Sequence, residues 1–276
     1  TALASDARLG VPREEPQIIP IDYSAPNVAK EMHVGHLRTT VVGDCLARTL
    51  ECLGHNVIRQ NHIGDWGTPM GMLLERLQEV GPDSAEAAIV ETEPNTFYQA
   101  ARASFDADPA WADRARAQVV ALQSGDPIVR ELWNRLYDRS KVYFERTYGL
   151  LGVTLTEADL AGESTYNDQL AGICDELEAA GVAVMSEGAL CVFLDGFTGR
   201  EGKPMPLIIR KSDGGYGYGT TDLVTIKYRT QDLRADRILY VVGVTQALHL
   251  QMVFATARKM GWLRDGVEAI HVAIGT

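Results

Sequence analysis

Residues 26 to 36 read Pro-Asn-Val-Ala-Lys-Glu-Met-His-Val-Gly-His, and His33 and His36 stand three apart around Gly35. An imidazole donates a hydrogen bond in either protonation state, so such a pair can meet phosphate oxygens as charge builds during transfer. A glycine between them lets a ligand approach the backbone. A helix beginning there would add free N–H groups and the positive end of a dipole. Two ordinary helix-start histidines give the same pattern. A zinc site is the less favoured rival, because the chain has no His-Glu-x-x-His and no third ligand at a usual spacing.

The elements on either side fit the phosphate-handling arrangement. Ile18-Ile19-Pro20-Ile21-Asp22-Tyr23 is short and β-prone, and after His36 the apolar positions Leu37, Val41, Val42, Leu46, Leu50 and Leu53 recur at helical spacing up to Gly54. A second apolar run, 57–63, ends in Gly64-Asp65-Trp66-Gly67 and leads into a helix predicted over 68–80. Asp65 and Trp66 then fall at a strand's carboxyl end, where ligands bind in open α/β sheets; Trp66 reads equally well as a packing residue. Two strand–helix units in series predict parallel strands with helices on both faces, a Rossmann-like half. From 81 to 185 the chain turns rich in Ala, Glu, Asp and Arg, with helical periodicity over 97–123 and 128–150. Short β-prone runs follow at 182–185, 190–194 and 207–210 and suggest a small sheet. Strand, helix and strand resume at 238–242, 246–260 and 269–274.

The expectation is an α/β fold, a Rossmann-like parallel sheet split by a mostly helical insertion carrying a small sheet. Residues 1–16 read as a connector, 17–80 as the first half of the parallel domain, 81–205 as the insertion and 206–276 as the second half.

Composition narrows the class. A chain of 276 residues with 46% hydrophobic and 23% charged residues can bury a full core. No run of 18 apolar residues is present, nor a basic segment followed by an apolar one, so neither a membrane span nor secretion is expected. The first residue is Thr1 rather than Met, which is compatible with a missing piece upstream. Cys45, Cys52, Cys174 and Cys191 form no Cys-x-x-Cys pair and read as reduced, mostly buried thiols of a cytoplasmic protein. A net charge of −11 argues against non-specific polyanion binding without excluding a local basic face. The Arg/Lys clusters at 114–116, 130–146 and 227–237 are interleaved with acids and read as solvated helix faces. Gly214-Gly215-Tyr216-Gly217 and Gly199-Arg200-Glu201-Gly202-Lys203-Pro204 both fail the Walker spacing, which disfavours a kinase or dehydrogenase.

The neighbourhood of the histidines carries more weight than the histidines alone. Pro26–His36, Asn61-His62-Ile63-Gly64-Asp65-Trp66-Gly67-Thr68-Pro69, Asp213–Asp222 and Gln246-Ala247-Leu248-His249 occur in one chain. In combination, over nearly its whole length, the chain closely resembles the catalytic core of class I arginyl-tRNA synthetases. The resemblance implies ATP-dependent activation of L-arginine and its transfer to tRNA(Arg), with ATP as substrate and Mg²⁺ as cofactor. It implies catalytic roles for Lys30, His33 and His36, and nucleotide contacts from His33, Gly35, His36 and His249. Arginine would be held by Asn27, Tyr218, Asp222 and Gln246, and no protein metal site is expected. The chain contains no Lys-Met-Ser-Lys loop, and the resemblance implies that Lys30 neutralises the transferring phosphate instead. Physical chemistry adds that a guanidinium fork is met best by a carboxylate, and Asp222 follows Tyr218 by four residues, on one helix face. The family's N-terminal tRNA-elbow and C-terminal anticodon domains have no counterpart in this sequence. A monomer in the cytoplasm, without membrane contact, is expected. Two rivals remain, a paralogue that passes arginine to a non-tRNA acceptor and a non-catalytic arginine or tRNA sensor. Intact phosphate-handling residues argue against the sensor.

Overall fold

The computed structural model describes residues 6, 8, 10–199 and 202–275. Part of the 1–16 connector and Arg200 and Glu201 of the failed Walker turn lie outside the described residues.

Strands β1 (Ile18–Tyr23), β2 (Asn56–Gln60), β6 (Arg237–Gly243) and β7 (Glu268–Ile274) form a parallel sheet in the order β2-β1-β6-β7. Helix α1 (Val34–Leu53) joins β1 to β2 and stops at Gly54, whose φ of 103° suits only a residue without Cβ. Helix α2 (Gly67–Val80) follows β2. Strand β6 separates two packing layers by simple alternation. Leu239 and Val241 join one core with Ile19, Ile21 and Tyr23, whereas Ile238 and Tyr240 join another. The first core is covered by α1 and α2. The second is covered by α8 (Tyr218–Gln231) and α9 (Ala247–Lys259). Helices on both faces of a parallel sheet were expected, and this is what the structure has.

Between α2 and α8 run five further α-helices among the described residues: α3 (Ala85–Ala88), α4 (Pro94–Ala107), α5 (Pro109–Ser124), α6 (Pro127–Leu151) and α7 (Asn167–Ala179). The periodicity over 97–123 is divided between α4 and α5 at Asp108. Pro109 has no N–H to continue a helix but suits a first helical position, and Asp108 caps the new helix by accepting from the Ala110 N–H at 2.9 Å. The second β run is likewise shorter than 57–63 and ends at Gln60. Three antiparallel strands, β3 (Ala183–Ser186), β4 (Ala189–Thr198) and β5 (Pro204–Arg210), make the small sheet. It packs with α7, α8 and α9. Helix α6 buries Leu132, Leu136, Phe144 and Tyr148 in the core that contains β1.

The contact between α1 and β1 is tight enough to fix the helix. A Cβ on Gly43 would lie 2.3 Å from Cβ of Tyr23, a residue with no exposed surface that cannot give way. Gly43→Ala should therefore cost about 1–3 kcal/mol as overpacking. The measurement is the urea midpoint at constant m-value; an unchanged midpoint would mean that α1 does not approach β1 so closely.

Candidate active site

A cavity of about 390 Å³ opens at the carboxyl ends of β1 and β6. These strands flank the point where the chain's order in the sheet reverses, the position at which open α/β sheets bind ligands. Its walls include His33, Gly35 and His36 from the start of α1, Asp222 from α8, and Gln246 and His249 around the start of α9.

At the helix start the two imidazoles stack, with ring centroids 3.9 Å apart. Nδ1 of His33 accepts from the Gly35 N–H at 3.1 Å, and Nδ1 of His36 accepts from the His33 N–H at 3.3 Å. Each Nδ1 is thus an acceptor, so the ring proton of the neutral form sits on Nε2. The backbone selects the tautomer that leaves Nε2–H as a donor. Gly35 has a second reason to be glycine, since a Cβ there would lie 2.9 Å from Cε1 of His33. Burial first, then the charges of His33 and Lys30, pushes His36 down to about 4. His36 is therefore a neutral donor at physiological pH.

Across the cavity, Asp222 faces two histidines. Nε2 of His249 donates to Asp222 Oδ2 at 2.6 Å, and Nε2 of His62 lies 3.9 Å from Asp222 Oδ1. The other nitrogen of His62 faces the Ala161 carbonyl at 2.8 Å, and a carbonyl can only accept, so Nδ1 carries a proton. Tyr218 stands with its ring centroid 4.9 Å from that of His249. The i, i+4 pair of α8 is thus gathered on one histidine, as their shared face required. Tyr218 is 65% exposed and, with Asn27, borders an adjoining cavity of about 350 Å³ rather than the first. Asn27 is pinned there against Gly64, where a Cβ would come within 2.2 Å of its Oδ1. Lys30 lines neither cavity; its ammonium rests 4.7 Å from the ring centroid of Tyr98 on α4.

Two carboxylates were missed as site residues. Asp22 is 5% exposed, lines the first cavity, gives Oδ2 to Arg229 Nη2 at 2.8 Å and has no partner for Oδ1. Its signal was available, as the lone charge at the carboxyl end of an otherwise apolar strand. Glu163 had no such signal. It borders the second cavity, and burial, then the charges of Asp65 and Asp222, pushes it up to about 8. Asp65 fixes this segment, accepting from the N–H and hydroxyl of Ser164 at 2.9 and 2.5 Å. Among the described residues, no group of three or more His, Cys, Asp or Glu side chains could hold a metal ion, and no helix is long and apolar enough to cross a membrane.

A parallel α/β sheet interrupted by an insertion, with donors and carboxylates facing each other at its switch point, defines a class of nucleotide-handling domains. The chain belongs to the family described as tRNA synthetases class I (R), catalytic domain, whose model matches residues 1–276. It is 70% identical over 273 residues to an arginine–tRNA ligase of Thermobifida fusca (strain YX), covering 99% of this chain and 47% of that protein. It is 54% identical to another from Frankia casuarinae, covering 100% of this chain and 48% of that protein. The crystal structure of arginyl-tRNA synthetase from Plasmodium falciparum superposes with a TM-score of 0.80 at 32% identity, over 95% of this chain and 44% of that one. The chain spans about half the length of the curated relatives it matches.

The His36 environment gives a direct test. A histidine held near 4 when folded and near 6.5 when unfolded binds fewer protons in the native state between those values. Its stabilising contribution is complete above 6.5 and is lost as pH falls through 4. The His36 ring resonance followed by NMR should titrate near 4, and a midpoint near 6.5 would remove the buried, neutral-donor description.

Proposed function

We propose that this chain is the catalytic core of an arginine–tRNA ligase. The carboxylate of L-arginine attacks the α-phosphate of ATP and releases pyrophosphate, and the activated arginyl group then passes to a hydroxyl of tRNA(Arg). The observation that carries the proposal is the division of one cavity into two chemistries. The stacked imidazole donors of His33 and His36 at a helix start and the carboxylates of Asp22 and Asp222 line the same cavity. A cationic side chain with a carboxylate at its far end, next to a nucleotide, fits that division.

In this reading the Nε2–H groups of His33 and His36 meet phosphate oxygens where charge develops, and Gly35 and the start of α1 let the nucleotide close on the backbone. Lys30 supplies the further cation on the departing phosphates. The guanidinium is held by Asp222, whose contact with His249 is exchanged for one with substrate, and by the free Oδ1 of Asp22. Tyr218 covers the guanidinium plane. Gln246 and Asn27 bind the polar groups of arginine, and His249 serves the nucleotide once released from Asp222. Mg²⁺ would arrive with the nucleotide, in keeping with its preference for phosphate oxygens and water over an all-protein cage, and would supply further neutralisation of the phosphate charge. We assign 81–205 as the connective insertion between the two halves of the catalytic domain, and a monomeric enzyme in the cytoplasm.

The test is tRNA-dependent ATP–pyrophosphate exchange and arginylation by the protein at its natural length. Exchange with arginine but no arginylation of tRNA would favour a different acceptor. Asp222→Ala should raise the arginine KM by an amount worth about 2–5 kcal/mol, the cost of removing one member of a buried charge pair. Asp222→Asn should lose most of the same discrimination. An unchanged arginine KM in both removes Asp222 from the recognition site. His36→Ala should lower kcat and kcat/KM for ATP together by roughly 10²–10³, with ATP KM little moved. If it weakens ATP binding and leaves kcat intact, the histidines are only a docking surface.

A further inference from the structure

The loop that carries Lys30 is held at Pro26 and Val28 by Gly64 of the turn after β2, and around Lys30 itself by the inserted helices. The Ala29 N–H donates to Ser140 Oγ at 2.8 Å in the buried core, and that hydroxyl donates onward to the Leu136 carbonyl at 2.8 Å. The Met32 N–H donates to the Tyr143 hydroxyl at 3.2 Å. Both acceptors are on α6 and they grip the backbone on either side of Lys30. Ala29, the first of the two gripped residues, takes a φ of 52°, which an L-residue with a Cβ adopts only under constraint. The side chain itself ends on α4, with Nζ 4.7 Å from the centroid of the Tyr98 ring. The lysine stands three residues ahead of His33, and after burial and His33 its charge is a further cause that holds His36 low.

We propose that the insertion positions Lys30 for phosphate transfer, with Tyr98 as the positioning residue that holds its ammonium on the ring face while Ser140 and Tyr143 hold the backbone. A free lysine on a four-carbon stem samples many rotamers in water, and most of them point away from the phosphates. The ring face confines the ammonium without neutralising it, as a carboxylate partner would. It therefore stays available to the more strongly negative pyrophosphate. The inference rests on the reading of Lys30 as the group that neutralises the transferring phosphate.

Four proteins at natural length decide it: the parent, Tyr98→Leu, Lys30→Ala and the double variant, compared in ATP–pyrophosphate exchange. Tyr98→Leu should lower kcat roughly three- to thirtyfold, the range expected for one cation–π contact, with the KM values for ATP and arginine little moved. Tyr98→Phe keeps the π face and should retain the parent rate. In the Lys30→Ala background Tyr98→Leu should add no further loss. If Lys30→Ala is slow and Tyr98→Leu costs the same factor with or without the lysine, Tyr98 is a packing residue and the inference is overturned while the role of Lys30 stands. If Lys30→Ala leaves the rate unchanged, the catalytic reading of Lys30 falls and takes the inference with it. Tyr98 also packs against the α4–α5 cluster, so Tyr98→Met, similar in bulk but without a π face, replaces Tyr98→Leu should that variant fail to fold.

Discussion

Everything at the mouth of the cavity depends on keeping one buried polar network fully satisfied, and Asn61 is its hub. Asn61 has no exposed surface, yet its Oδ1 accepts from the Ala25 N–H at 3.1 Å and its Nδ2 donates to the Tyr148 hydroxyl at 2.8 Å. Its backbone N–H donates to the Asp159 carbonyl at 2.8 Å, and its carbonyl accepts from Ala161 at 3.0 Å. Tyr148 continues to Ser24 at 2.8 Å, Ser24 Oγ and Thr40 Oγ1 of α1 share a hydrogen bond at 2.9 Å, and Thr40 gives its own hydroxyl proton to the His36 carbonyl at 2.6 Å. The exit of β1, the end of β2, the start of α1 and two parts of the insertion thus share their donors and acceptors. Each group would lose free energy if left unpaired in the interior, so the pieces hold one relative arrangement. Ser24 and Ala25, at φ of 73° and 48°, are kept in that strained backbone by it.

The same economy governs charge. Arg229 has no exposed surface and lies over the Tyr240 ring, 5.0 Å from its centroid, with Nη2 on Asp22. A buried ion pair contributes little net stability, because desolvation offsets the attraction. What it does here is orient a carboxylate in the lining of a cavity, with one oxygen committed and one open. Glu163 is buried with two carboxylates near, and it responds by holding its proton more tightly. Burial and the neighbouring carboxylates thus make Glu163, on the adjoining cavity, a carboxyl group that releases its proton only towards about 8. The histidine wall is kept from accumulating positive charge by the burial of His36.

The sequence carried the parallel sheet because both periods were clean. Apolar runs of about six residues alternate with helical stripes ending at Gly54 and Gly261. It also carried the family, since the motif segments around Asn27, Asp222 and Gln246 are each short and local; the structure puts Asp222 and Gln246 on one cavity and Asn27 on the adjoining one. What it left hidden is tertiary. The break at Pro109 lay inside an unbroken apolar rhythm, and a proline suits the first turn of a new helix as well as it ends an old one. That His249 would hold Asp222, that Lys30 would rest on Tyr98, and that Glu163 would sit between two carboxylates all depend on side chains tens of residues or more apart. No periodicity records such pairings. Asp22 was legible and was passed over, because a single charge ending a buried strand also reads as the strand's exit to solvent.

The split of the sheet has a structural consequence of its own. Strands β1 and β6 pair across more than two hundred residues, and their edge is closed by Ile18 donating to Asp236 Oδ2 at 2.7 Å and accepting from the Asp236 N–H at 2.9 Å. Closing so long a loop costs entropy that grows only slowly with length, so the interval could be large provided that its contacts offset the ordering of its own chain. It does this by sharing the core of the first half through α6 and that of the second through β3 to β5 and α7. Because the interval is packed into both cores, its residues can be aimed at the cavity with the precision of core residues. A segment tethered only at its ends could place neither Glu163 beside Asp65 nor Tyr98 beneath Lys30.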